Sequence, residues 1–174
     1  MPRIIESDEY DELEKGLKQR VNALNAYLKD IYSDKAIIHD GVVPEEYVYT
    51  SAGYFPQVNG VTPPGGIFAH IAGEDLVQGE DGRWWVLEDN LRIPSGASYP
   101  LFVRDIERRI SPRLFRDVRI RDNREYPRLL RKAMDFVSTE GIAVVLTPGR
   151  YNSAFFEHAL SLIHISEPTR PEPI

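Results

Sequence analysis

From Ser7 onward, Tyr10, Leu13, Leu17, Val21, Leu24, Leu28 and Ile31 recur every three or four positions. That spacing predicts one long amphipathic helix ending near Ser33, with Ser7 and the acids after it as its N-cap. Gly16 weakens its interior by about 1 kcal/mol relative to alanine. Asp40-Gly41 reads as a turn, and Pro44-Glu45-Glu46 as the first turn of a short second helix. The stretch from Thr50 to Gly66 is rich in glycine and proline and reads as a loop around short extended pieces.

After this loop the pattern changes. Ile67 to Ala72 suits a strand continued by Asp75-Leu76-Val77, and Gly79-Glu80-Asp81-Gly82 signals a turn before Trp84-Trp85-Val86-Leu87. Two antiparallel strands are expected, with Trp84 and Trp85 on opposite faces and at least one of them in the core. Helices are expected over Leu101 to Ile110 and Tyr126 to Val137, arginines outward. Ile142 to Leu146 is almost wholly apolar, as a buried parallel strand would be. Thr147-Pro148-Gly149 and a helix starting near Asn152 or Ser153 would complete the opening of an α/β unit. The predicted class is therefore α/β in the broad sense, a mixed α+β fold.

Composition narrows the field. In 174 residues, 42% hydrophobic and 28% charged side chains fit a packed globular protein. The absence of cysteine excludes disulfides, thiolate metal sites and a cysteine nucleophile. No apolar run approaches the roughly 20 residues that span a bilayer, and the first residues lack a signal-peptide core, so no membrane partner and a cytoplasmic location are expected. The net charge is −6, yet Arg104 to Lys132 holds eleven basic against five acidic side chains, a net +6. With acids interleaved and few aromatics, this stripe reads as a solvated helical face, with nucleic-acid binding as the rival.

The candidate chemistry lies between Asp75 and Arg92. Two carboxylates and an amide, Asp75, Glu88 and Asn90, form the oxygen-only donor set that a hard cation such as Mg2+ prefers. On a strand, Glu88 and Asn90 project together while Asp89 points away, and the turn would bring Asp75 alongside. Arg92 would continue that face if the strand reached it, and a guanidinium there suits a phosphate or carboxylate. On spacing alone, the polar end of an exposed hairpin is the plainer reading.

The ordered series Asp75, Gly82 turn and Glu88-Asp89-Asn90-Leu91-Arg92 resembles the acid, turn and Glu-x-Asn-x-Arg pattern of the circularly permuted ATP-grasp family. The resemblance runs from about Pro2 to Leu160. It takes in Arg20-Val21-Asn22-Ala23-Leu24-Asn25, Asp40 to Pro44, Leu87 to Gly96 and Leu146 to His158. It implies that Asp75, Glu88 and Asn90 bind the magnesium ions bridging the ATP phosphates, and that Arg92 helps hold the transferring phosphoryl group. It also implies ATP-dependent ligation of a small carboxylate to an amine or peptide substrate through an acyl phosphate. The family's nucleotide-clamping lysine and glycine-rich loop are absent here, so the rest of a parent chain would be needed and this piece would be inactive alone. A phosphotransferase and a non-catalytic binding module are the alternatives.

Further candidates are weaker. Ser95-Gly96 could offer backbone N–H groups to a phosphate, or be a plain turn. Arg150, Asn152 and Ser153 sit where α/β folds place ligand loops, although helix capping alone would explain Asn152 or Ser153. His70 would alternate with strand residues, and is more simply structural. The expected organisation is 1–137 as a helical segment plus the metal-binding half of a permuted ATP-grasp domain, 138–160 as the start of a Rossmann-like pre-ATP-grasp unit, and 161–174 as a non-native tail. Ser161 to Arg170 back-translates to a sequence resembling a transposon-end sequencing adapter.

Overall fold

The computed structural model describes residues 3–138, 140–141 and 144–159. The expected tail at 161–174 lies outside them. The fold is mixed, with helices and one two-stranded antiparallel sheet among the described residues. It divides into two units, the first ending at Pro94 and the second starting at Ser95.

The first unit is organised by α1 (Ser7–Ile31), which starts after an extended Glu6 rather than from a capping Ser7 side chain. Two short helices follow, α2 (Ala36–His39) and α3 (Glu45–Tyr49). The first of these has no pattern of its own in the sequence. It exists because the Asp30 carboxylate, six and seven residues back, accepts from the Ala36 and Ile37 N–H groups at 3.0 and 2.9 Å. That satisfies donors a helix start otherwise leaves open, and Lys35 takes a left-handed conformation to make the turn. A small core of Ile31, Tyr32 and Val48 gathers Leu28, Ile37, Ile38, Tyr54 and Phe68 around it. Tyr32 stacks on Tyr54 at 5.3 Å and on Phe68 at 5.9 Å between centroids, and its hydroxyl accepts from the Phe55 N–H.

The strand expected from Ile67 is not formed before Gly73. At residues 68 and 69 the backbone groups are met by a side chain, and the Ile67 N–H donates to the Pro64 carbonyl rather than to a neighbouring strand. Asn25 of α1 accepts from the Phe68 and Ala69 N–H groups, each at 2.9 Å, and donates to the Ala69 carbonyl at 3.1 Å. His70 therefore sits on a bend, not on a strand alternating toward the sheet face.

The hairpin itself is β1 (Gly73–Gln78) and β2 (Trp84–Asn90), joined by the Gly79–Gly82 turn in which Gly82 has φ +77°. The Gly82 N–H donates to the Gly79 carbonyl and the Gly79 N–H to the Arg83 carbonyl, a three-residue loop that needs glycine at its left-handed position. The register pairs Gly73 with Asn90, Asp75 with Glu88, Leu76 with Val86 and Gln78 with Trp84, leaving Leu87 as an extra residue in a β-bulge.

The second unit holds α4 (Ser98–Ile110), α5 (Pro112–Asp117), α6 (Glu125–Val137) and a last helical segment, α7, at 155–159. Phe156 packs on Tyr99 and Phe102 at 5.2 and 5.6 Å, and Asn123 donates to the Pro100 carbonyl at 3.1 Å. The strand expected at 142–146 is not formed at 144–146. Ile142 and Ala143 lie outside the described residues, and 144–146 are not extended into a sheet, with Leu146 87% exposed. A parallel strand needs partners for its N–H and C=O groups, and no third strand is present among the described residues.

Candidate metal and phosphate site on the hairpin

The two faces of the hairpin differ because the bulge resets the alternation of β2. Trp84 and Val86 are half-buried and Trp85 is exposed, as alternation requires. Regular alternation would then turn Glu88 inward. Instead Leu87, at 71% exposure, and Glu88 both point out, after which Asp89 turns in. Asp75, opposite Glu88, shares its exposed face, and Asn90 lies diagonally across. The Asn90 amide donates to the Asp75 carboxylate at 3.3 Å. The Glu88 side chain is exposed and has no hydrogen-bond or ion-pair partner among the described residues.

The opposite face is held by α1 at two points. Near the turn, Glu9 accepts from the Gln78 amide at 2.8 Å and from the Trp84 indole N–H at 2.9 Å. Near the strand end, Arg20 grips Asp89 through two parallel bonds of 2.6 Å, Nε to Oδ1 and Nη2 to Oδ2. These bonds hold the Asp89 carboxyl below the usual carboxylate range, against the opposing effect of burial. The spans agree: eleven helical residues rise about 16 Å, and Trp84 to Asp89 covers about 17 Å of strand. Neither Arg20 nor Asp89 was marked by spacing as part of a site, since 69 residues separate them.

Arg92 lies beyond the ladder. Pairing ends at Asn90, and the chain bends at 92 and 93. The expected continuation of the face to Arg92 therefore fails, and its guanidinium instead lies over the Phe55 ring at 5.8 Å. The bend brings Pro94 back over Gly73, where any Cβ would stand 3.2 Å from the Pro94 Cβ.

In the second unit the Gly96 N–H donates to both oxygens of Glu157, at 2.8 and 2.7 Å, so an anion of the chain itself holds the place offered to a phosphate. Ser95 is exposed. Arg150 lies over the Tyr151 ring at 5.2 Å, and Asn152 accepts from the Ala154 N–H at 2.9 Å, a capping contact just ahead of α7. Ser153 is exposed. Six arginines of the basic stripe, Arg104, Arg108, Arg116, Arg124, Arg128 and Arg131, pair with acids of the same unit.

The donor chemistry of the hairpin face, two exposed carboxylates at paired positions and an amide bonded to one of them, fits a hard cation with water and phosphate completing its shell. Among the described residues no three Asp, Glu or His side chains converge as a metal cluster, so the amide would have to contribute. The family model described as a circularly permuted ATP-grasp matches residues 2–165. The chain belongs to the circularly permuted ATP-grasp family.

Relatives extend the family well beyond this chain. An uncharacterized protein of Synechocystis is 44% identical over 163 residues, 91% of this chain and 34% of the relative. One of Mycobacterium tuberculosis is 44% identical over 164 residues, 92% of this chain and 30% of its own length. A protein of Frankia casuarinae named "Putative glutamate--cysteine ligase 2-2" is 41% identical over 165 residues, 92% of this chain and 19% of its own. The chain thus spans about a third or less of the curated relatives it matches. No helix among the described residues is long and apolar enough to cross a membrane.

Proposed function

We propose that the chain is the magnesium- and phosphate-binding part of an ATP-dependent carboxylate–amine ligase, with Asp75, Glu88 and Asn90 as the metal ligands. The observation that supports it best is the gathering of those three oxygen donors on one exposed hairpin face while Asp89, between two of them in sequence, is held on the other. Bound MgATP would supply an electrophilic phosphoryl group for activation of a carboxylate as an acyl phosphate, which an amine then attacks. Asp75, Glu88 and Asn90 would hold the cation, whose charge would offset that of the phosphates, and no covalent nucleophile is needed. Arg92 would leave Phe55 to reach a phosphate, and Ser95 with Gly96 would contribute only if Glu157 gave way.

The name of the Frankia relative favours small carboxylate and amine substrates. We assign residues 1–137 to the helical segment and metal-binding half, 138–160 to the start of a pre-ATP-grasp unit in which Arg150, Asn152 and Ser153 contact substrate, and 161–174 to a non-native tail. The chain alone is expected to show no ligase turnover. The test is amine-dependent ADP release by the product of the uninterrupted gene with MgATP. Glu88→Ala and Asn90→Ala should each lower kcat/KM by about 100-fold or more. Unchanged turnover in both would reject the site.

A further inference from the structure

The string Arg20 to Asn25 belongs to the family resemblance but has no part in the chemistry proposed above. Its place in the structure gives it one. Asp89 is flanked in sequence by Glu88 and Asn90, and strand geometry ties the three together: whichever face takes Asp89, its neighbours take the other. A bulge makes that choice less certain, because the extra residue can be absorbed at more than one point along β2. With the bulge at Leu87, Glu88 faces out; with regular pairing through Leu87, Glu88 would turn toward α1 and Asp89 would turn out.

Local sequence does not choose between these registers. Glu88 and Asp89 are both acids, so either could in principle take the inward place. The inward carboxylate at the 89 position is met by a two-pronged guanidinium, with Asp89 only 18% exposed at its side chain. Glu74, paired with Asp89 on β1, is half-buried on the same face and has one buried oxygen without a partner among the described residues. Arg20 is therefore the cation that lets two inward carboxylates coexist at this end of the sheet.

We propose that Arg20 is a positioning residue: by seizing Asp89 it sets the bulge at Leu87 and so turns Glu88 and Asn90 outward on the face of Asp75. The functional consequence rests on the magnesium reading above, but the structural claim does not. The partnership requires the forked geometry of arginine as well as its charge.

The experiment uses the whole chain and two readouts. Cross-strand nuclear Overhauser contacts between Asp75 and Glu88 report the register, and titration with Mn2+ alone, followed by electron paramagnetic resonance, reports cation binding. In Arg20→Gln the Asp75 to Glu88 contacts should be lost and the Mn2+ Kd should rise by about 10-fold or more. The double variant Arg20→Asp with Asp89→Arg should recover part of both. If Arg20→Gln does not fold, Asp89→Asn keeps the side-chain shape, removes the charge and should show the same losses. Wild-type contacts and a Kd within about twofold in a folded Arg20→Gln or Asp89→Asn protein would overturn the proposal. Loss of the contacts and their recovery in the double variant, with no Mn2+ bound even by the wild type, would uphold the positioning role and reject the magnesium reading.

Discussion

Replacing Asn25 by alanine is expected to loosen the chain just ahead of the hairpin. The side chain joins α1 to the 68–69 segment through three bonds, two accepted from the Phe68 and Ala69 N–H groups and one donated to the Ala69 carbonyl. Each is worth about 0.5–1.5 kcal/mol net. Ala69 is 8% exposed, so water cannot readily replace the amide there. The sum is a loss of about 3 kcal/mol, a large share of the 5–15 kcal/mol typical of a domain. Asn25→Asp keeps both accepted bonds and loses the donated one, so it should cost about 1–2 kcal/mol. Urea unfolding gives the free energies, and hydrogen exchange at the Phe68 and Ala69 amides shows where the loss falls. Unfolding of Asn25→Ala within about 0.5 kcal/mol of wild type, or two amides as protected as before, would mean that these bonds do not hold the segment.

Three further outcomes are expected. The folded-state pKa of Asp89 is lowered by Arg20, so the stability this adds is present above the unfolded carboxylate value near 3.9 and is lost as pH falls through the folded value; acid titration by circular dichroism should show Arg20→Gln converging with wild type at the acid end. Gly73→Ala brings a Cβ to 3.2 Å from Pro94 and should destabilise by about 1 kcal/mol or more on thermal melting. Gly16→Ala, in the middle of α1 with nothing within 4 Å of the new Cβ, should instead stabilise by about 0.8–1 kcal/mol.

The chain on its own carries much of this architecture. The three- and four-residue spacing from Tyr10 to Ile31 is enough to specify α1, because one apolar stripe on a long helix has only one way to be buried. Gly79 to Gly82 specifies the hairpin loop, since a left-handed turn residue is cheap only for glycine. The run Glu88-Asp89-Asn90-Leu91-Arg92, with Asp75 across the turn, was enough to indicate the family and to suggest which side chains share a face. These features are local, and local sterics and periodicity decide them.

What tertiary structure decided lies in contacts between residues far apart. The 67–72 segment has strand-like residues, but Asn25 meets the Phe68 and Ala69 backbone groups, and a backbone group satisfied by a side chain has no need of a ladder. Helix α2 depends on a carboxylate six residues before it. Apolar Val144 to Leu146 suggests a strand, yet a strand exists only with a neighbour, and the described residues provide none. Most of all, the side to which Glu88 and Asn90 turn depends on a bulge at Leu87 and on an arginine 69 positions away. Periodicity can say that Asp89 opposes its neighbours; only a partner across the fold can say which of the two faces each one takes.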